Sequence, residues 1–94
     1  MRNINNKQAL TRLSYIYKSL STPDRIRIIA LCEDREMNIT QLSKELKRPF
    51  SRISEYVSSL EKLGLVEKTK RGDKTVTVKS LIKINENGEI IFRE

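Results

Sequence analysis

Residues 39–78, ITQLSKELKRPFSRISEYVSSLEKLGLVEKTKRGDKTVTV, decide the reading of this chain. They spell a short helix, a tight turn, a longer helix, and then two strands joined at a glycine. In the longer helix Ile53, Val57, Leu60 and Leu63 fall at i, i+4, i+7 and i+10, which makes one continuous apolar stripe. The other face carries Ser51, Arg52, Ser54, Glu55, Ser58, Ser59 and Lys62. Small hydroxyls and one arginine let a helix approach another polymer closely. That is what a helix entering the major groove of DNA requires.

Working outward, the third helix is expected to start at Thr40 as its cap and to bury Leu42 and Leu46. Lys47, Arg48 and Pro49 then make the turn, because proline disfavours a helical residue before it and readily opens a new helix. Upstream, STPDRIRIIALCED (21–34) offers Thr22 as a cap, Pro23 at the first helical position and Asp24 near the positive end of the helix dipole. Its Ile26, Ile28, Ile29, Leu31 and Cys32 cover more than one face, which suits a central helix. A first helix runs from about Asn6 to Leu20, with Leu10, Leu13, Ile16, Tyr17 and Leu20 at helical spacing. Downstream, Gly64 ends the long helix by accepting a left-handed conformation. LVEKTKR and KTVTVKS alternate as strands should, with Arg71, Gly72, Asp73 and Lys74 between them. In LIKINENGEIIFRE (81–94), Asn87-Gly88 between apolar runs is a strong hairpin signal.

Ninety-four residues suffice for one compact domain and are too few for two. Nineteen Lys plus Arg against twelve Asp plus Glu give a net charge of +7, which favours polyanionic partners; solubility alone is the plainer account of such a balance. From Lys47 to Lys79 there are nine basic residues and four acidic ones, 9 − 4 = +5, so most of the excess lies around the helix-turn-helix. No apolar run approaches the ~20 residues of a membrane span and no signal peptide is visible, so a cytoplasmic location and no membrane partner are expected. The single cysteine, Cys32, excludes an intramolecular disulfide and sits in an apolar run as a packed thiol. With no histidine, scattered carboxylates and no glycine-rich phosphate loop, the chain lacks the usual apparatus of an enzyme.

The segments LSTPDRIRIIALC (20–32), NITQLSKEL (38–46) and SRISEYVSSLEKLGLVEKTKRGDKTVTV (51–78) resemble the ArsR-like winged helix-turn-helix transcriptional regulators. The resemblance implies an α+β, mostly α fold: three to four helices plus a two-stranded β-wing, followed here by a C-terminal hairpin. It divides residues 1–94, as one DNA-binding domain, into a dimerisation helix (1–20), the helix-turn-helix (40–64), the wing (65–79) and the hairpin (80–94). Two departures limit it. The third helix holds no thiol and the chain no histidine, so the family's metal sensing is not expected, and neither is any cofactor. The chain also ends in a hairpin where the family often has a dimerising helix. Dimerisation must therefore lean on the first helix, through Leu10, Leu13, Ile16 and Tyr17.

Candidate contacts with double-stranded DNA follow from position. Ser51, Arg52, Ser54 and Glu55 occupy the first turns of the recognition helix, and Arg52 suits guanine O6 and N7. Its plainer role is a solvated charge, or a partner of Glu55 or Tyr56. Thr40 and Gln41 can donate to a phosphate, and Lys47 and Arg48 lie at the turn for the DNA backbone. Lys68, Lys70, Arg71 and Lys74 are expected around the wing tip, to touch phosphates or enter a minor groove. The expected protein is a homodimeric, sequence-specific regulator, a repressor at a pseudo-palindromic promoter site. The alternative is a winged-helix adaptor for protein or RNA, which would carry exposed apolar or acidic residues on the recognition face.

Overall fold

A computed structural model of the chain describes residues 7–72 and 75–92. The helices are α1 (Lys7–Ser19), α2 (Pro23–Leu31), α3 (Ile39–Leu46) and α4 (Phe50–Lys62), and the strands β1 (Met37–Asn38), β2 (Val66–Arg71), β3 (Thr75–Ser80), β4 (Ile82–Ile84) and β5 (Ile90–Phe92). This is the α+β arrangement expected from the sequence. The two-stranded wing of β2 and β3 is extended by β1 into a three-stranded antiparallel sheet of order β1-β3-β2. Met37 pairs with Val78 and Asn38 with Thr77. A strand this short has no alternation to read, which is why the sequence conceals it.

The apolar stripe of α4 forms the centre. Ile53, Val57 and Leu60 are fully buried with Ile28, Ile29, Leu42, Leu65, Val78 and Ile82. Of the apolar residues expected to make α2 central, Ile28, Ile29 and Cys32 are buried, while Ile26 faces outward at 37% exposure. Thr22 stands at the N-cap of α2 by position only; its side chain makes no capping hydrogen bond, and its carbonyl accepts from the Arg25 and Ile26 amides.

α3 corrects a second expectation. Its cap is Asn38, not Thr40. Asn38 Oδ1 accepts from the Gln41 amide at 2.7 Å, and Gln41 Oε1 accepts from the Asn38 amide at 2.8 Å. That is a reciprocal capping box with a glutamine at its third helical position. Thr40 lies inside the first turn. The helix ends at Lys47, which holds a left-handed conformation (φ 55°, ψ 48°), and Pro49 then caps α4.

The exit of α4 is a Schellman motif. The Leu65 amide donates to the Leu60 carbonyl and the Gly64 amide to the Glu61 carbonyl, with Gly64 at φ +76°. Leu60 and Leu65 close the motif with the buried apolar contact that usually accompanies it. From there the chain turns directly into β2. The C-terminal hairpin forms as expected. The Gly88 amide donates to the Asn85 carbonyl, Gly88 sits at φ +79°, and Ile84 pairs with Ile90. Asn87-Gly88 thus closes a tight turn followed by a left-handed bulge residue, rather than forming the two central residues of a primed turn. The Ile84 amide, donating to Glu33 Oε1 at 2.7 Å, fastens this hairpin to the end of α2.

α1 stands apart. Only Ile16 and Ser19 of this helix are buried. Arg12 Nη2 donates to the Leu63 carbonyl at 2.8 Å, close enough that a Cβ at Gly64 would meet the same guanidinium at 3.1 Å. Leu10, Leu13 and Tyr17 share an outward face at 49%, 47% and 61% exposure. Ile16, which shares their helical spacing in the sequence, packs instead into its own core and leaves that face.

The capping box sets an energetic test. Asn38→Ala should lower the unfolding free energy by about 1 kcal/mol. Thr40→Ala should stay within about 0.5 kcal/mol of wild type, as an exposed substitution away from a cap does. Urea titrations of the two variants measure this; equal losses would place the cap at Thr40 after all.

Candidate nucleic-acid interface

Burial of Ile53, Val57 and Leu60 turns the opposite side of α4 to solvent. Ser51, Arg52 and Glu55 are exposed there, and Ser54, Ser58 and Ser59 are half-buried. Arg52 forms no ion pair among the described residues. Tyr56, considered as its partner, instead lies under the Arg25 guanidinium at 5.0 Å from the ring centroid. The structure also brings to this face a residue that sequence patterning does not single out. Phe50, the first residue of α4, is 55% exposed. It escapes notice because a single aromatic beside the turn breaks no periodicity.

The basic residues divide into two kinds. Arg48 Nε donates to Asp24 Oδ2 at 2.9 Å, which ties the turn to the first turn of α2. Lys68 does not reach the wing tip. It bends back over α4, where its Nζ lies 3.4 Å from Glu61 Oε1 and donates to Ser58 Oγ at 3.3 Å. Arg71 does reach the far end of β2, yet its Nη2 donates to both carboxylate oxygens of Glu36 at 2.9 Å. The Thr77 hydroxyl donates to the same carboxylate at 3.0 Å. Lys47, Arg52 and Lys70 have no acidic partner among the described residues. Gln41 spends its amide N–H and its side-chain oxygen in the capping box, leaving its side-chain NH2 as the donor for a phosphate. Lys74 lies outside the described residues. The pairings of Glu36 with Arg71 and of Asp24 with Arg48 carried no sequence signal, since each carboxylate lies far along the chain from its arginine.

Residues 20–90 match the HVO_A0114 family, a span running from the end of α1 through the first residue of β5. The chain belongs to the HVO_A0114 family. Solved structures place the fold. It is similar to HlyU from Vibrio cholerae, with a TM-score of 0.70 and 23% identity over 79% of this chain and 79% of that one. The homodimeric winged helix-turn-helix DNA-binding domain Mb0332 from Mycobacterium bovis gives 0.71 and 20% identity over 85% and 75%. NolR from Sinorhizobium fredii gives 0.72 and 18% over 85% and 81%. The shared fold is that of the ArsR- and HlyU-like winged helix-turn-helix regulators, as the sequence resemblance implied. No curated protein matches the sequence.

In this HVO_A0114 family member, Cys32 is fully buried and its thiol is pushed up to about 11, chiefly by that burial. Such a group stays protonated and unreactive at neutral pH. Among the described residues no three His, Cys, Asp or Glu side chains converge on a metal position, and no helix is long and apolar enough to cross a membrane.

The Glu36–Arg71 tie should be visible in a titration. The Arg71 hydrogen bonds, followed by that of Thr77, hold the Glu36 carboxyl below its ordinary 4.5. A depressed carboxylate contributes stability above its unfolded value and loses it as pH falls through the folded one. By NMR, the Glu36 carboxyl should therefore titrate below 4.5 in wild type and move back toward 4.5 in Arg71→Ala. A wild-type midpoint at or above that value would mean the pair is not held in solution.

Proposed function

We propose that this protein is a sequence-specific regulator that binds double-stranded DNA as a homodimer, with α4 in the major groove and the β2–β3 wing on the adjacent backbone. The carrying observation is the outward face of α4. Its serines and Arg52 project from a helix whose rotation is fixed by its buried stripe, and no acidic side chain among the described residues engages Arg52. Direct readout needs a slim polar helix with a free guanidinium, and this face supplies both. Lys47 and Lys70 lie to either side as unpaired cations for phosphates. Arg48, Lys68 and Arg71 would exchange their carboxylate partners for phosphates on binding. Repression by occupying promoter DNA is the simplest regulatory mode open to such a domain.

The outward apolar face of α1 supports the dimer. Leu10, Leu13 and Tyr17 leave apolar area exposed on a helix that its own core barely covers, and a two-fold pair would bury it. The Mycobacterium bovis domain of like fold is homodimeric. A two-fold protein would read a pseudo-palindromic site with half-sites about one helical turn apart. One observation favours the adaptor alternative: the exposed ring of Phe50 is the kind of group a protein partner would cover.

Titration against preferred and scrambled duplexes at several salt concentrations tests the reading. Arg52→Ala should lose roughly 1–3 kcal/mol on the preferred site and little on the scrambled one. Lys70→Ala should weaken both alike and lower the salt slope by about one unit for each phosphate it no longer neutralises. Sedimentation at micromolar concentration should give twice the monomer mass of 11.0 kDa, with Leu13→Glu shifting it toward monomer. If Arg52→Ala binds both duplexes as wild type does, α4 is not the reader and the adaptor reading gains.

A further inference from the structure

We infer that Phe50 is a specificity-determining residue that reads the 5-methyl group of a thymine in the major groove, an inference that rests on the DNA reading above. Phe50 begins the recognition helix at its DNA-proximal end, and more than half of the residue is open to solvent at 55% exposure. Its own fold does not claim it. The residue one turn along is Ser54, too small to cover the ring, and Phe50 stands at the solvent end of the stripe that becomes buried from Ile53 onward.

The surroundings decide what could cover it. Phe50 and Ser54 together form the ridge between two shallow hollows. One runs along α4 past Ser51, Glu55, Ser58 and Ser59. The other lies between α4 and the sheet, near Thr40, Lys68 and Thr75. Hydroxyls and charges, joined on the sheet side by Ile39 and Val76, thus surround a single ring. A protein groove built for an aromatic anchor would bring apolar walls against polar side chains that need partners. A thymine edge fits better, because it offers one methyl group beside the O4 acceptor, and a phenylalanine against that methyl is an established form of readout. The ring takes the methyl while Ser51 or Ser54 can donate to the neighbouring acceptor. Uracil lacks the methyl, and the narrow major groove of A-form RNA admits no helix, so the same ring disfavours RNA.

The test separates the methyl from the rest of the base. A preferred duplex is selected from random DNA with the full protein, and each thymine is then replaced singly by uracil. One replacement should weaken wild type by about fourfold, the worth of one buried methyl-sized group. Phe50→Ala should bind the thymine and uracil forms of that duplex equally, while its thermal midpoint and its affinity for scrambled DNA stay near wild type. Phe50→Leu, which keeps an apolar side chain against the methyl, should retain part of the thymine preference. If wild type discriminates preferred from scrambled DNA yet tolerates every uracil within about 1.5-fold, α4 reads DNA without Phe50 and the inference falls alone. Failure to discriminate any duplex would overturn the DNA reading and this inference together.

Discussion

Everything on the outer surface of α4 depends on the burial of its inner one. Ile53, Val57 and Leu60 are at zero exposure on a helix packed against α2, α3 and β2, and each such side chain contributes about 1.5–3 kcal/mol on transfer from water. The packing fixes more than stability. Because the helix repeats every 3.6 residues, three buried positions leave it a single rotation, and that rotation aims Ser51, Glu55 and Ser58 outward. The Schellman exit then fixes where β2 begins, and the register Lys68–Val78 fixes which side chains of the wing face α4. The geometry of the proposed interface is therefore a consequence of packing, with no polar interaction required to set it.

Legibility followed the range of the interaction. The helices, the wing and the C-terminal hairpin are visible in the sequence because periodicity, proline and glycine are local signals. The α4 stripe and the Gly64 exit could be read from a few neighbouring residues each. What stayed hidden depended on the meeting of distant segments. β1 exists as a strand only because β3 passes beside it. The α3 cap fell two residues from its expected place because asparagine and threonine both make good caps, although the Asn38–Gln41 box that decides it is itself local. Ile16 and Leu13 look alike in sequence, and only the path of the chain shows that one turns inward.

The charge pattern holds the same lesson for the candidate site. The residues from Lys47 to Lys79 suggest a strongly basic face, but Arg48, Lys68 and Arg71 each lie against a carboxylate. Exposed pairs of this kind contribute little to stability, so they are easily exchanged. They do neutralise the long-range field that would otherwise draw in any polyanion. Partners that approach within a few ångströms can still reclaim these cations. The field of this face is thus weaker than the +5 counted from Lys47 to Lys79 implies, because Asp24 and Glu36 lie outside that stretch and were not subtracted in it.

Lys47 shows where such a face competes with folding. It is the sole non-glycine residue with positive φ among those described, at the elbow between α3 and α4. An L-residue in that conformation costs roughly 1–2 kcal/mol, which glycine would avoid. A lysine there sacrifices stability to keep a cation at the elbow, next to the helix that the rest of the fold aims outward. Position 47 is thus a point of trade-off: a glycine there would relieve the backbone and also strip a charge from the proposed interface.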